Sequence, residues 1–460
     1  MSKRKEPKHT ISDLYQMQSL PLEIKIRMTE RRLRDWVDEY GLDGVYISFS
    51  GGKDSTVLLH IARQIFPGIK AAFVDTGLEY PEIRQFVKQF DNVEWIKPKL
   101  TFKQVIEKYG YPFISKEVSE CLSGAKKYLT RITVGQHDLT DRPTDRPTDR
   151  PTDRPTDRPT DRPTVPNHTY MADMLGVDRR VNKENSEYQK IKMGVIPGLD
   201  DENAPVRYLQ FYGKVVHKEK GVETDEYSKR YDKSRYRFML FGPYNFGSDC
   251  CKVMKKRPFH KYAKETGRKP ITAQMASESQ LRTEQWLKNG CNGFEMKSPI
   301  SNPMSFWTEQ DVLLYFYLYI TPCVVEMWKL ASNGHGSKRK KARKFLKKWS
   351  YTKTGLCSVY GEVVIDYQAM GQVDGQIDFS EYGIFDKERP LLKTTGCDRT
   401  GCMFCGYGCH LEKSPGRFER MKITHPKQYD FIMKPWSEGG LGYKELIDWI
   451  NEHGGLNIKY

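Results

Sequence analysis

The sequence predicts an α/β fold with a doubly wound, mostly parallel sheet, and two observations predict it. Short apolar runs at residues 45–49, 69–77 and 93–96 alternate with helical patterns, which implies βαβ units. A loop with the sequence Ser-Gly-Gly-Lys-Asp-Ser, residues 50–55, separates the first run from an amphipathic helical pattern. Ligands of such folds bind at the carboxyl ends of the strands, and this loop would lie there.

A helix is predicted to precede the first strand. Apolar residues recur among charged ones ahead of that strand. Pro21 can open a helix that continues to Tyr40, and Gly41 can close it. We therefore expect residues 1–41 to be a helical lead-in that packs on the sheet domain.

The glycine-containing loop is suited to binding an anion. Gly51 and Gly52 let backbone N–H groups approach the ligand at a helix N-terminus, whose dipole favours negative charge. Lys53 adds a mobile positive charge, and Ser50 and Ser55 add hydroxyl donors. We call this segment the phosphate loop.

The phosphate loop differs from the P-loop of Walker-type NTPases. Ile47 stands where that motif needs its first glycine, and Asp54 stands where it needs serine or threonine. A plain glycine-containing turn is the alternative. Six specified positions between a strand and a helix favour phosphate binding instead.

Polar residues also follow the second predicted strand. Asp75 and Thr76 end that run, next to the phosphate loop at the expected edge of the sheet. They either cap a turn or a helix, which Pro81 would open, or contact a bound ligand or Mg²⁺. A further helix is expected near residues 102–109.

Residues 135–235 are expected to be an insertion. The tetrapeptide Asp-Arg-Pro-Thr occurs six times in succession from Asp141 to Thr164. Units without apolar residues cannot bury a core, and a proline at every fourth position disfavours helix and sheet. We expect a disordered, exposed tether here, with a hairpin further on at residues 208–216.

A strand pattern at residues 270–275 runs into a polar Ser-Glu-Ser segment. Ser277 or Ser279 can cap the helix that follows. Capping would explain the serines, but it does not explain the pair formed by Glu278 and Arg282. These two residues lie one helical turn apart, and Arg282 would face back toward the strand end. They are therefore candidate functional residues.

The region after residue 330 carries an unusual charge pattern. The chain has a formal net charge of +16, and residues 338–348 hold eight lysines and arginines with no acidic residue. Phe345, Leu346 and Trp349 among these charges predict an amphipathic helix. Such a helix either presents a solvated face or follows a phosphate backbone, so nucleic acid remains an open partner.

Ten cysteines occur in a chain that has neither a signal-peptide pattern nor an apolar run of transmembrane length. We expect a cytoplasmic protein without a membrane partner, in which cysteines are more often metal ligands or thiols than disulfides. Four of them form a glycine-rich segment, Cys397-x4-Cys402-x2-Cys405-x3-Cys409. Such glycines let backbone N–H groups point at thiolate sulfur, as zinc and iron–sulfur sites require.

Two ligand sets remain open for this segment. A zinc knuckle would use its own four cysteines. A [4Fe–4S] cluster would instead join the adjacent Cys250 and Cys251 to Cys402 and Cys405. Spacing alone does not decide between the two.

Together these motifs resemble the phosphoadenosine phosphosulfate (PAPS) reductase family, within the adenine nucleotide α-hydrolases of HUP-like fold. The resemblance covers residues 42–134 and 236–320, with a cysteine segment similar to that of the cluster-bearing members. It implies a nucleotide-binding domain over residues 42–134 and 236–330. A basic helix and a Cys-rich, helical region would follow at residues 331–460.

The resemblance also implies roles for individual residues. Residues matching nucleotide-binding positions are Ser50, Gly51, Gly52, Lys53, Ser55, Asp75, Thr76 and Ser277. Residues matching catalytic positions are Lys53, Asp54, Ser55, Glu278 and Arg282. Residues matching the ligands of the cluster-binding adenylylsulfate reductases are Cys250, Cys251, Cys402 and Cys405.

Three departures separate the chain from true sulfonucleotide reductases. Those enzymes usually have a degenerate phosphate loop, whereas this loop is intact. They also carry a nucleophilic cysteine in a C-terminal Glu-Cys-Gly-x-His segment, whereas no cysteine follows Cys409, and Met275 replaces a common arginine. The intact loop is similar to that of ATP-using relatives, namely the small subunit of sulfate adenylyltransferase and the DNA phosphorothioation and tRNA thiolation enzymes.

The resemblance therefore implies an enzyme of sulfur metabolism or sulfur transfer that binds ATP with Mg²⁺ and cleaves it between the α- and β-phosphates. An acceptor would attack the α-phosphate, and sulfur from the cluster region or a sulfur-donor protein would displace the adenylate. One alternative is a reductase of PAPS or adenylylsulfate, with Cys409 beside His410 as nucleophile. Another is a nucleic-acid-binding accessory protein of a DNA or tRNA thiolation system.

Overall fold

A computed structural model describes residues 7–134, 204–212, 216–219, 222–227, 231–349, 355–366, 369 and 391–460. The Asp-Arg-Pro-Thr tract, which was predicted to be an exposed tether, lies outside the described residues. So does most of the predicted insertion.

The α-helices of the described residues are α1 (Ile11–Ser19), α2 (Leu22–Tyr40), α3 (Lys53–Ile65), α4 (Pro81–Val87), α5 (Phe102–Tyr109), α6 (Lys116–Val134), α7 (Val206–Leu209), α8 (Arg257–Thr266), α9 (Gln280–Asn289), α10 (Glu309–Tyr315), α11 (Thr321–Asn333), α12 (Gly336–Trp349), α13 (Arg417–Thr424), α14 (Pro426–Met433) and α15 (Tyr443–Gly454). The strands are β1 (Val45–Ser48), β2 (Ala71–Val74), β3 (Val93–Ile96), β4 (Phe113–Ile114), β5 (Val216–Glu219), β6 (Val222–Tyr227), β7 (Lys269–Ile271), β8 (Asn292–Gly293), β9 (Ile300–Ser301), β10 (Val363–Ile365), β11 (Leu392–Thr394) and β12 (Gly406–Tyr407). Short 3₁₀ segments include Gln210–Tyr212, Ala276–Glu278 and Ser358–Tyr360, and π-helical segments are Lys252–Lys256 and Phe316–Ile320.

A six-stranded sheet has the strand order β3-β2-β1-β7-β9-β8. The neighbours from β3 to β9 pair in parallel, and β8 pairs antiparallel with β9. The strands β2 and β3 extend the sheet on one side of β1, and the later strands extend it on the other. The end of β1 therefore lies where the strand order reverses, which is where α/β sheets bind ligands. The predicted doubly wound, mostly parallel fold is confirmed.

Several elements begin and end where their sequence signals predict. The helix α2 ends at Tyr40, and Gly41 follows it with a φ of +74°. The strand β3 and the helix α5 have the predicted bounds, and the hydroxyl of Thr101 caps α5. The helix α3, however, begins at Lys53 rather than after Ser55, so that half of the phosphate loop forms its first turn.

Two predicted β elements are corrected. Residues 208–212, predicted to start a hairpin, are helical, because Pro205 precedes the first helical residue and sets its entry into α7. The hairpin is formed later by β5 and β6. The strand predicted at residues 270–275 ends at Ile271, after which the chain leaves the sheet.

The chain divides into two compact units. The first comprises Met1–Lys99 and Met254–Met403, and the second comprises Leu100–Val253 and Phe404–Tyr460. Residues 100–134 belong to the second unit, and the described residues from 331 to 403 belong to the first, while the predicted domain boundaries stay a prediction. The six-stranded sheet and the phosphate loop lie in the first unit.

The first unit has one extended core around the sheet. Val45, Ile47 and Phe49 of the β1 region are almost fully buried and pack with Trp36 of α2. Inside this core a buried ion pair joins α2 to α10, in which Lys25 Nζ lies 2.6 Å from Asp311 Oδ2. The lead-in helix α2 is therefore part of the sheet unit.

A continuous helical stretch, Glu309–Asn333, is formed by α10, a π-helical turn and α11. By length and composition alone its 25 residues could cross a membrane, contrary to the expectation from the sequence. Val312, Phe316 and Ile320 of this stretch belong to the core of the first unit. Because the core helix of a globular domain passes the same test, this is weak support for a membrane span.

The second unit is built around short parallel strands and the last helix. The strand β4 pairs in parallel with β12. The helix α15 buries Tyr443, Leu446, Ile447 and Ile450. The region after the cysteine segment is helical, as predicted.

Candidate active site

The phosphate loop follows the carboxyl end of β1 and is held closed by its own serines. The hydroxyl oxygens of Ser50 and Ser55 lie 3.0 Å apart, and the backbone N–H of Ser50 donates to Ser55 Oγ at 3.2 Å. The backbone N–H of Gly52 donates to Ser50 Oγ, also at 3.2 Å. The first N–H groups of α3 follow directly, and such groups favour an anion.

Gly51 has a specific steric role in this loop. Its φ is +70°, a value that side-chain-bearing residues rarely adopt. A Cβ atom built there would lie 2.8 Å from Val87 Cγ2 and 2.9 Å from Ile83 Cγ2, both on α4. Glycine is therefore required because the loop packs directly against α4.

Lys53 is held at the loop by two acceptors. The side chain is only 5% exposed, and its ammonium group donates to the carboxylate of Glu309. It also donates to the backbone carbonyl of Asp398 at 2.6 Å. An anion that binds Lys53 would have to replace at least one of these acceptors.

Asp54 places a carboxylate among charged groups. Its Oδ1 atom is buried and has no hydrogen-bond partner within the described part of the chain. Burial raises the pKa of Asp54 and Glu309 raises it further, whereas Lys53, Arg399 and Arg282 lower it. Asp54 and Glu309 could together offer oxygen atoms to a divalent cation.

Asp75 and Thr76 are buried at the end of β2 and stabilise the turn that follows. Asp75 accepts a hydrogen bond from the backbone N–H of Gly77 at 3.3 Å and pairs with Arg84 at 2.8 Å. The hydroxyl of Thr76 donates to Glu79 at 2.7 Å. The structure thus shows the turn role for both residues, and contact with a nucleotide stays a prediction.

The Ser-Glu-Ser segment is organised by its glutamate rather than by its serines. Ser279 occupies the N-cap position of α9, but its hydroxyl makes no capping hydrogen bond, and Ser277 is exposed. Glu278 accepts a hydrogen bond from the backbone N–H of Met275 at 3.0 Å and forms an ion pair with Arg282. The predicted pairing of Glu278 with Arg282 is therefore observed.

A cavity opens beside the phosphate loop at the carboxyl ends of β1 and β2. Its apolar walls include Phe73, Ile83 and Phe259, and its polar lining includes Ser50 and Glu79. Apolar walls next to an anion-binding loop have the polarity that a nucleoside joined to phosphates requires.

Four functional candidates were missed by the sequence analysis. Tyr360 forms a hydrogen bond with the Thr400 hydroxyl, and its own hydroxyl oxygen would lie 3.3 Å from a Cβ atom built at Gly52 of the phosphate loop. Arg399 Nη2 lies 4.0 Å from Glu278 Oε1. Glu309, the partner of Lys53, is the fourth.

Two of these could have been found from local signals. Arg399 and Thr400 are polar residues inside the predicted cysteine segment. Because they are not predicted metal ligands, their presence there could have indicated a different function. Glu309 follows the helix-capping Thr308, but that position explains an acidic residue without any site. Nothing in the sequence indicates that Tyr360 reaches the loop.

The predicted cysteine ligands are divided between the two units. Cys397 and Cys402 belong to the first unit, whereas the second unit contains the other four, Cys250, Cys251, Cys405 and Cys409. In the second unit, Tyr407 and Tyr443 each lie close enough to three of these cysteines for the cysteine charges to affect the pKa of the tyrosine. Burial raises the pKa of Tyr443, and the charges of Cys405, Cys250 and Cys409 raise it further. Burial also raises the pKa of Tyr407, and the charges of Cys405, Cys251 and Cys250 raise it further.

These cysteines do not form a preformed metal site. Among the described residues, no three or more His, Cys, Asp or Glu side chains are arranged to hold a metal ion. Burial also raises the pKa of the Cys409 thiol to about 12. The ligand set and the choice between [4Fe–4S] and zinc stay predictions.

Comparisons with known proteins locate one family domain. Residues 44–128 match the sequence model of the phosphoadenosine phosphosulfate reductase domain, and residues 139–165 match that of the PT disordered repeat. The chain is 37% identical over 84 residues to an uncharacterized protein of Methanocaldococcus jannaschii, which is 17% of this chain and 20% of that protein. It is 34% identical over 80 residues to a probable FAD synthase of Caenorhabditis briggsae, which is 15% of each chain. The chain thus spans no more than a fifth of the length of these relatives.

Proposed function

We propose, from the match of residues 44–128 to the phosphoadenosine phosphosulfate reductase domain, that the chain is an enzyme that binds ATP on the phosphate loop and cleaves it between the α- and β-phosphates. The observation that carries the proposal is the intact loop at the end of β1, with Lys53 at its centre. The similarity of 80 residues to a probable FAD synthase supports it, since FAD contains an adenylyl group.

The phosphates would take over donors that now bind protein acceptors. The β- and γ-phosphates would accept hydrogen bonds from Lys53 and from the backbone N–H groups that begin α3. Lys53 would then leave the carbonyl of Asp398 or the carboxylate of Glu309. The adenosine would occupy the neighbouring cavity against Phe73 and Phe259.

The reaction would be an attack on the α-phosphorus. An oxygen or nitrogen of the acceptor forms a bond to that phosphorus, while the bond to the α,β-bridging oxygen breaks. Pyrophosphate leaves with the electron pair, and the acceptor loses its proton to water. Lys53 and the loop N–H groups would stabilise the charge on the pyrophosphate. Mg²⁺ bound by Asp54 and Glu309 would add to this stabilisation.

The experiment that tests this proposal measures pyrophosphate release and ATP binding by the full chain. Lys53→Ala should abolish both, because it removes the cation at the loop. The matched control is Lys427→Ala, which changes an exposed lysine on α14. Unchanged ATP binding in Lys53→Ala would contradict the proposal.

Sulfur chemistry at the cysteines is a finer proposal on the same chain. It is supported by the four cysteines that neighbour Tyr407 and Tyr443 in the second unit. Iron, zinc and acid-labile sulfide should be counted after anaerobic purification. Comparable iron and sulfide would support a cluster, zinc without sulfide would support a knuckle, and neither would contradict both.

A reductase that uses Cys409 as its nucleophile is less well supported. Cys409 is buried, and its raised pKa disfavours the thiolate that attacks sulfonucleotides. Sulfite release from PAPS or adenylylsulfate with a thiol reductant would test it. Release that Cys409→Ser abolishes would favour the reductase.

Nucleic-acid binding is a second candidate function, which the exposed basic face of α12 favours. Lys338, Lys340, Lys341, Arg343 and Lys344 are exposed, whereas Ala342 is buried. A row of exposed cations can follow a phosphate backbone, and binding should then weaken steeply with salt. Binding of tRNA and duplex DNA that survives charge reversal at three of these lysines would contradict this role.

A further inference from the structure

We propose that Arg399 is a further phosphate-binding residue of this site and that the segment of residues 398–401 positions Arg399 beside the phosphate loop. The proposal rests on the proposed binding of ATP and deepens it. It assigns a function to residues inside the cysteine segment that are not themselves cysteines.

The segment contacts the phosphate loop at Lys53 and lies beside the loop at Thr400. The carbonyl of Asp398 accepts the Lys53 ammonium at 2.6 Å. The hydroxyl of Thr400 bonds to Tyr360, and Gly52 is so close that a Cβ atom there would lie 4.0 Å from Thr400 Oγ1. The backbone on each side of Arg399 is therefore fixed next to the loop.

The guanidinium of Arg399 is close to the site but only weakly held. Its side chain is 61% exposed, and Nη2 lies 4.0 Å from Glu278 Oε1. Glu278 also pairs with Arg282, so two guanidinium groups share one carboxylate. An exposed ion pair at this distance contributes little, which leaves Arg399 able to turn toward a stronger acceptor.

A bound triphosphate would be that acceptor. Lys53 pairs with Glu309, Arg282 and Arg399 share Glu278, and Asp54 adds a third carboxylate, so three cations face three acidic side chains. A polyphosphate adds negative charge that this balanced set does not neutralise. Arginine suits phosphate binding, because its planar guanidinium group can donate two hydrogen bonds to one phosphate.

The test is a calorimetric titration of the full chain with MgATP and, separately, with adenosine. Arg399→Ala should weaken ATP binding at least about tenfold and leave adenosine binding within about twofold, because adenosine has no phosphate. Arg399→Lys should recover part of the loss, since lysine keeps the charge but not the fork. Arg27→Ala, at an exposed arginine on α2, is the matched control.

The outcomes separate this proposal from the proposed function. If the unmodified chain does not bind ATP, both the proposed function and this inference are wrong. Suppose that the unmodified chain binds ATP, that Lys53→Ala abolishes this binding and that Arg399→Ala binds ATP with unchanged affinity. In that case only this inference is overturned. Equal weakening for ATP and adenosine would also overturn it, because a phosphate contact cannot act on adenosine. Arg399→Lys, with a thermal melt, keeps the test valid if Arg399→Ala misfolds.

Discussion

Replacing Gly51 by alanine tests whether packing against α4 determines the shape of the phosphate loop. A side chain at φ +70° costs about 1–2 kcal/mol through local backbone strain. The new Cβ would also lie within 3 Å of Val87 and Ile83, and such overpacking costs about 1–3 kcal/mol. We therefore expect Gly51→Ala to lower the free energy of unfolding by about 2–5 kcal/mol in total.

Gly267 provides a matched control for the backbone part of this cost. Its φ is +73°, but a Cβ built there would meet no atom within 4 Å. Gly267→Ala should therefore lose only about 1–2 kcal/mol. The difference between the two variants isolates the steric cost at the loop.

The assay is urea unfolding of the full chain, followed by ATP titration of each variant. In the Gly51→Ala background, Val87→Ala should cost less than it does alone, because it removes one of the overlapping methyl groups. ATP binding should weaken in Gly51→Ala and not in Gly267→Ala. If Gly51→Ala were no less stable than Gly267→Ala, the packing argument would be wrong.

Three further predictions concern the first unit. Lys25→Ala should lower the unfolding free energy by about 3–5 kcal/mol, because it leaves the buried Asp311 carboxylate without its cation; a loss below about 1 kcal/mol in urea unfolding would contradict this. Burial lowers the pKa of His60 to about 4, so between pH 6.5 and 4 the unfolded chain binds more protons than the folded one. Stability should therefore fall as the pH drops through this window, by at most about 3 kcal/mol, and unfolding at pH 7 and 4.5 should show a smaller fall in His60→Gln. Tyr360→Phe should weaken ATP binding about two- to fivefold in calorimetry, because it removes the hydrogen bond to Thr400 that holds residues 398–401 beside the loop; unchanged or tighter binding would contradict this.

The local features of this chain could be predicted because each depends on neighbouring residues. The alternation of apolar runs predicts β1, β2 and β3, and the composition of the phosphate loop predicts anion binding. The bounds of α2 follow from Pro21 and Gly41. The start of α3 could not be placed, because the glycines and Lys53 fit a loop and a first helical turn equally well.

The two units show where local signals were insufficient. Sequence continuity suggested that residues 100–134 stay with the sheet, but they pack in the second unit. The hairpin was placed too early, because tyrosines and valines near Tyr208 satisfy a strand pattern as well as a helical one. Burial, which sequence propensity does not contain, decides such cases.

By itself, the sequence determined the sheet, the phosphate loop and the pairing of Glu278 with Arg282. Only the tertiary structure placed Glu309, Tyr360 and Arg399 around that loop, because each comes from a segment more than 250 residues further along the chain. Contacts of this range depend on how the whole chain packs around the core. No short-range periodicity or spacing encodes them, and the site could be completed only in three dimensions.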